Sequence, residues 1–358
     1  MALAILLPLV ACGGGGNTPD SAAPPASSAP ASSAPGGSGP AVSTPLPSYV
    51  APSAAEIVRG NVVDVIRFSP RDAGWNISPW MNNGNGGNSI WYQIYNCLMS
   101  NPAFGTEVGK MDYNMAESVD FSADNLTATV KLVDYIHDSK GNPIKAEDVV
   151  FSFLTAPRVS SSYAIIDNYV VDIVALDELT VKITLNKSTP GTWESLLANV
   201  PIVSKTLYEN ASEEERSTDP AATGAYRVKD HVAGGTTVLE AIDDFWQKDE
   251  LRNIYQIANA KELHYVGITE SSMRVVALEN GELDAMFIDI NQVQRFLDDP
   301  NWTVKEIWTT NPGNIVLNGS ENSPFHDNIA LRKAVLHAID WWEAAVPVVG
   351  SGFRAALI

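Results

Sequence analysis

Residues 261–297 read KELHYVGITESSMRVVALENGELDAMFIDINQVQRFL. A strand (KELHYVG) is followed by a helical stretch (ITESSMRVVALENG), a second strand (LDAMFID) and a second helix (INQVQRFL). That alternation predicts an α/β unit with parallel strands, because a helix is the usual way to carry the chain back to the same end of a sheet. Upstream of it the pattern is different, and the shift places an expected domain boundary near residue 260.

The upstream part is richer in paired strands. NVVDVIRF (61–68) predicts a first strand ended by SPRDAG, and LTATVKLV (126–133) alternates as a strand does. NYVVDIVAL and ELTVKITLN are joined through Asp177 as an expected hairpin, and two more strands flank Gly234-Gly235. In NSIWYQIYNCLM (88–99), Ile90, Ile94 and Leu98 recur at helical spacing. In GNPIKAEDVVFSFLTA (141–156), a Gly-Asn turn and Pro143 precede Glu147 and Asp148, acids placed where the first turn of a helix favours them.

The first residues are organised differently. Ala2 to Ala11 is an apolar run of about half the length needed to span a bilayer, and it suits the apolar region of a secretory signal. Leu9-Val10-Ala11-Cys12 then matches the bacterial lipobox, in which the Cys12 thiol takes a lipid, although the usual leading Lys or Arg is missing. Nine Pro and nine Ser fall between residues 13 and 55. Such a stretch has too little apolar surface to offset chain entropy and reads as a flexible tether. The expected organisation is a signal at 1–11, a tether at 12–56, and a folded body from 57.

Charge narrows the function. The chain carries 23 basic and 42 acidic residues, a formal charge of −19, and only Asp20 and Glu56 among the acids precede residue 57. An acidic body repels phosphate backbones, which argues against nucleic-acid partners. With Cys12 lipidated, Cys97 has no partner for a disulfide. There is no G-x-S-x-G elbow, no phosphate loop and no dinucleotide fingerprint. His137, His231, His264, His326 and His337 are scattered without metal-ligand spacing. The runs Asp243-Asp244 and Glu213-Glu214-Glu215 read as solvated faces. No catalytic residue, metal or cofactor is expected. Trp75, Trp80, Trp91, Tyr92 and Tyr95, set among Asn and Gly, are compatible either with an aromatic ligand cleft or with core packing.

Several separated stretches form one pattern. GNPIKAEDVVFSF, PIVSKTLYEN (201–210), TGAYRVKDHVAGGTTVLEAIDDFW, VVALENGELDA and NIVLNGSENSPFHDNIALRKAVLHAID resemble, in order, segments of the bacterial extracellular solute-binding proteins of family 5. These are the dipeptide-, oligopeptide- and nickel-binding components of ABC importers. The resemblance implies an α/β, two-lobed periplasmic-binding-protein-like fold of type II, with lobe I at 57–260 and lobe II at 261–358. It implies a peptide or peptide-like solute held between lobes, ABC permease subunits as partners, and, with the lipobox, attachment to the cell-envelope membrane. Non-transport sensing on the same fold and surface-anchored hydrolysis are the alternatives.

By position, Tyr95-Asn96-Cys97-Leu98 stands where the family has Y-E-G-L facing the ligand. Tyr163 falls near an aromatic of the cleft, and Asn314 and Asn318 fall on an approaching strand of lobe II. Three departures stand out. Asn96-Cys97 replaces Glu-Gly, Lys145 replaces a capping Thr, and Trp341-Trp342 replaces a charged pair. Family members continue past GSGFRAALI, so lobe II is expected to be incomplete.

Overall fold

The computed structural model describes residues 63–70, 74–81, 85–100, 111–247, 256, 258–289, 292–304 and 316–340. All of the described residues belong to one compact unit. Cys12, the signal and tether stretches, Asn314 and Trp341-Trp342 lie outside the described residues.

Among the described residues, two sheets organise the fold. The smaller is wholly antiparallel, in the order β2 (Ala116–Phe121), β3 (Thr127–Leu132), β5 (Thr180–Leu185), β4 (Val170–Ala175). Its period-two sequence explains its packing: Ala128, Val130 and Leu132 of β3 and Val181, Ile183 and Leu185 of β5 all point inward and are buried. The β4–β5 hairpin forms as expected, and Asp177 fixes its turn by accepting the Leu179 N–H at 2.8 Å.

Helix α2 (Ala146–Val159) lies against β4 and β5, burying Val149, Phe153 and Ala156 along one stripe. Its N-terminus shows what the Lys145 substitution does. A lysine ammonium cannot accept a hydrogen bond, so the cap is one-sided: Asp148 Oδ2 accepts the Lys145 N–H at 2.8 Å. The other oxygen, Oδ1, accepts the Lys205 N–H at 2.7 Å and so ties α2 to α5 (Lys205–Asn210). Burial nonetheless raises the Asp148 pKa above the ordinary aspartate value.

The larger sheet is mixed, in the order β6 (Tyr226–His231), β7 (Thr236–Ala241), β8 (Ala260–Val266), β1 (Val63–Ser69), β9 (Ala285–Met286). β6, β7 and β8 run antiparallel, with Gly234 at φ 72° in the β6–β7 turn. β1 pairs parallel with both β8 and β9, and helix α7 (Ser271–Glu279) connects those two. The parallel α/β unit expected from 261–297 is therefore present, though β9 is two residues long and α8 (Gln294–Leu297) only four.

Hydrogen bonding runs through residue 260 without a break, because β8 joins β7 to β1. What changes there is pairing, from antiparallel to parallel. The side-chain core changes slightly later. The main core extends as far as Tyr265, and a small second cluster of Val275, Ala277, Leu278, Leu283 and Phe296 follows, packed with Val266, Ile268, Met286, Ile288, Trp302 and Val304.

The outer face of the mixed sheet carries two cross-strand ion pairs, Arg227–Glu240 at 2.7 Å and Lys229–Glu262 at 2.5 Å, and within β8 the His264 ring lies 2.7 Å from the Glu262 carboxylate. The Lys229 ammonium, and then His264, hold the Glu262 carboxyl below its ordinary pKa. At this exposure such pairs fix register more than they stabilise. Helix α9 (Ile329–Ala338), capped by Asn328 Oδ1 on the Leu331 N–H at 3.0 Å, buries none of its residues.

Candidate functional site

Helical spacing predicts a helix through residue 99, but α1 (Asn85–Ile94) ends five residues earlier. The reason lies far away in sequence. The N–H groups of Thr223 and Gly224 both donate to the Ile94 carbonyl at 3.0 Å, and this outside cap stops the helix. The next residues are then drawn into extended pairing, with Asn96 bridged to Ile202.

Asn96 is the centre of this arrangement. Its backbone N–H donates to Thr223 Oγ1 at 3.0 Å, its Nδ2 to the Thr223 carbonyl at 2.8 Å, and its Oδ1 accepts from Asn114 Nδ2 at 2.7 Å. The Thr223 hydroxyl donates to the Ile202 carbonyl at 3.1 Å, and Trp246 Nε1 donates to the Thr223 carbonyl at 2.8 Å. Gly224 is required by contact: a Cβ there would lie 2.2 Å from the Gln93 carbonyl oxygen. Ala225 N–H donates to Gln256 Oε1 at 2.7 Å, and Gln256 Nε2 returns to the Tyr92 carbonyl at 2.5 Å. The TGAY stretch is thus a polar knot joining α1, the 95–99 segment, the 201–204 loop and Trp246.

Tyr95, Asn96, Cys97 and Leu98 are brought together here, and none is more than 4% exposed. Tyr95 donates its phenol to the Ile77 carbonyl at 2.8 Å, and burial raises its pKa well above the ordinary value. Burial likewise pushes the Cys97 thiol up, which suppresses the thiolate. The residues that stand in place of Glu-Gly therefore form packed interior rather than open wall. Tyr163, in a 3₁₀ turn (Ser161–Tyr163) after α2, is also buried, with its phenol pKa raised by burial. Asn318 is exposed and accepts the Ser320 N–H at 3.0 Å; it is in a turn, not a strand.

The aromatic stretch resolves in favour of core. Trp75, Trp80, Trp91 and Tyr95 are all buried, so the open aromatic cleft is not formed by these rings. Trp80 packs against Tyr208 and Phe151, donates Nε1 to the Pro201 carbonyl at 3.0 Å, and holds φ at 63°. A left-handed backbone at a bulky residue costs on the order of 1–3 kcal/mol and persists only because the surroundings enforce it. The indole N–H of Trp91 is buried without a hydrogen-bond partner among the described residues.

Among the described residues, surface depressions lie elsewhere. One, of about 390 Å³, is formed by the β2–β3 loop and the loop between β5 and helix α4 (Thr192–Asn199), around Phe121, Asn125 and Trp193. The other, of about 200 Å³, lies between Tyr208, Arg216 and Lys140. Neither is lined by Tyr95, Asn96, Cys97, Leu98, Tyr163 or Asn318. Among the described residues there is no metal-ligand cluster and no helix long and apolar enough to cross a membrane.

This architecture matches solved two-lobed solute-binding proteins. A Helicobacter pylori ABC transporter-associated periplasmic binding protein, DppA, in complex with the peptide STSA, superposes with a TM-score of 0.65 at 22% identity, over 83% of this chain and 60% of its own. MoaA of Agrobacterium tumefaciens R10, in complex with mannopinic acid, gives 0.67 at 22% identity, over 81% and 58%. The fold is that of these two-lobed binding proteins.

The family follows from sequence: residues 110–349 match the bacterial extracellular solute-binding proteins, family 5 (middle), and the chain belongs to that family. A Brucella ovis protein described as a candidate ABC transporter peptide-binding protein is 27% identical over 247 residues, which is 63% of this chain and 42% of that protein. The oligopeptide-binding protein OppA of Bacillus subtilis is 24% identical over 205 residues, 52% of this chain and 36% of its own. The chain therefore spans less than half the length of these curated relatives.

Proposed function

We propose that this protein is the solute-receiving component of an ABC importer, that it takes peptides or peptide-like solutes, and that it hands them to permease subunits. The family match over residues 110–349 carries the reading, and the peptide-binding names of the relatives give the solute class. The physical mode would be main-chain recognition, in which backbone donors and acceptors supply affinity and bridging water tolerates varied side chains.

The stretch Tyr95, Asn96, Cys97 and Leu98, with Tyr163, Asn314 and Asn318, is proposed for the ligand side. Because the first four are buried, their part is to hold the wall in position rather than to touch solvent. The lipobox at Cys12 is proposed to anchor the chain at the envelope membrane, with residues 12–56 as tether. No catalytic step is proposed.

Thermal melting with di-, tri- and tetrapeptide pools tests the solute class. A ligand at 100 times its Kd adds about 2.7 kcal/mol to stability, so a rise of several degrees is expected. Stabilisation by opines or sugars but by no peptide pool would overturn it. Labelled-palmitate incorporation that is lost in Cys12→Ser tests the anchor separately.

A further inference from the structure

His231 ends β6 opposite Thr237 of β7, and its Nδ1 lies 2.7 Å from Thr237 Oγ1. The same oxygen accepts the indole N–H of Trp75 at 2.7 Å. Thr237 is fully buried and Trp75 is 4% exposed, whereas His231 is half-buried and open to proton exchange. A hydroxyl has one proton and two lone pairs. With neutral His231 protonated at Nε2, the arrangement is complete: Trp75 donates to Thr237 Oγ1, and Thr237 donates to Nδ1.

A second proton on the ring reverses one bond. Nδ1–H and Trp75 Nε1–H then both point at the same oxygen, and the Thr237 hydroxyl proton is left without an acceptor, since no other acceptor among the described residues meets it. A buried donor stranded in this way is costly. We propose that His231, Thr237 and Trp75 form an acid-released latch, closed when His231 is neutral and opened by its protonation, that holds the 74–81 segment against the mixed sheet.

The surroundings agree in sign. Burial lowers the His231 pKa and the neighbouring Asp230 carboxylate opposes this only in part. The other charges on β6 are Arg227 and Lys229, paired with Glu240 of β7 and Glu262 of β8. Of the helices that approach β6, α1 brings only the phenol of Tyr92, and α6 (Glu213–Thr218) brings Glu213, Glu214, Glu215 and Arg216.

The held segment matters to the rest of the molecule. It carries the Ile77 carbonyl that accepts from Tyr95, and Trp80 with its left-handed backbone. Trp75 also packs edge-on to Tyr265, ring centroids 6.5 Å apart, and Tyr265 donates to the Ser89 carbonyl within α1. The latch stands whether or not the solute is a peptide.

Nuclear magnetic resonance of the full chain tests it, with the Trp75 indole resonance identified by its disappearance in Trp75→Phe. His231 is expected as the Nε2–H tautomer at pH 7.5, titrating below the ordinary histidine value of about 6.5. The Trp75 indole peak should shift with the same midpoint. That co-titration should survive in Thr237→Ser and vanish in Thr237→Val. An Nδ1–H tautomer at pH 7.5, or a Trp75 peak that stays fixed while His231 titrates, would overturn the latch. Both readings come from the unmutated chain, so the decision does not depend on Thr237→Val folding.

Discussion

Replacing Gly224 with alanine adds one methyl group in a place where neither neighbour can yield cheaply. The new Cβ would sit 2.2 Å from the Gln93 carbonyl oxygen and 2.8–2.9 Å from the carbonyl carbons of Gln93 and Ile94, all of them backbone. Ordinary contact begins at 3.4 Å, so the last turn of α1 or the TGAY stretch must move by about 1 Å. That movement strains the two 3.0 Å bonds from Thr223 and Gly224 to the Ile94 carbonyl, which terminate the helix. Overpacking costs typically ~1–3 kcal/mol. Two weakened hydrogen bonds add about 1 kcal/mol each. The expected loss is ~3–5 kcal/mol, a fall in Tm on the order of 10 °C for a body of this size.

Gly319→Ala is the matched control, since a Cβ there meets nothing within 4 Å. It should lie within about 0.5 kcal/mol of the parent. Urea melts of the three proteins, read by tryptophan fluorescence, give the comparison. If Gly224→Ala and Gly319→Ala melt alike, the close approach of TGAY to α1 does not exist in solution and the polar knot built on it fails too.

Other expectations follow from the same region. Asn96→Ala removes an acceptor from Asn114 and a donor from the Thr223 carbonyl in a buried setting, and should cost ~2–4 kcal/mol in a chemical melt. Cys97 should resist maleimide at pH 8 in native Cys12→Ser protein and label once in urea, because its thiol is buried and its pKa is pushed up; rapid native labelling would contradict its placement. The phenols of Tyr95, Tyr163 and Tyr265 have pKa values raised by burial. Their contribution to stability is intact below the unfolded value near 10 and is lost as pH rises above it. Absorbance at 295 nm should therefore show these three ionising together with unfolding rather than before it.

Most of the regular elements were legible in the sequence because local pattern and burial agree there. In β3 and β5 the alternation of residues is the alternation of faces, and the 261–297 pattern anticipates a helix carrying the chain from β8 to β9. The misreadings have physical causes. Leu98 continues the helical spacing of Ile90 and Ile94, yet Thr223 and Gly224, about 125 residues on, cap the helix at Ile94. A three-point periodicity cannot register a cap supplied from that distance. The aromatic stretch was ambiguous for a related reason, since Trp burial here depends on remote acceptors such as the Pro201 carbonyl and Thr237. The candidate site was legible only as a resemblance. Its supporting residues, Asn114, Thr223 and Gln256, carried no signal beyond the TGAY motif itself.

The position of β1 sets a schedule. This first strand is hydrogen-bonded on one side to β8 and on the other to β9, so residues such as Ser69 and Val266 meet across 197 positions of chain. At about 5–20 residues per second, an emerging chain waits roughly 10–40 s between making β1 and making its first neighbour. For that interval VDVIRFS is a β-forming segment with both edges open, able to pair with another strand it meets. The mixed sheet therefore closes late, when β8 arrives, and a cell making this protein has to keep β1 unpaired until residues 260–266 have been synthesised.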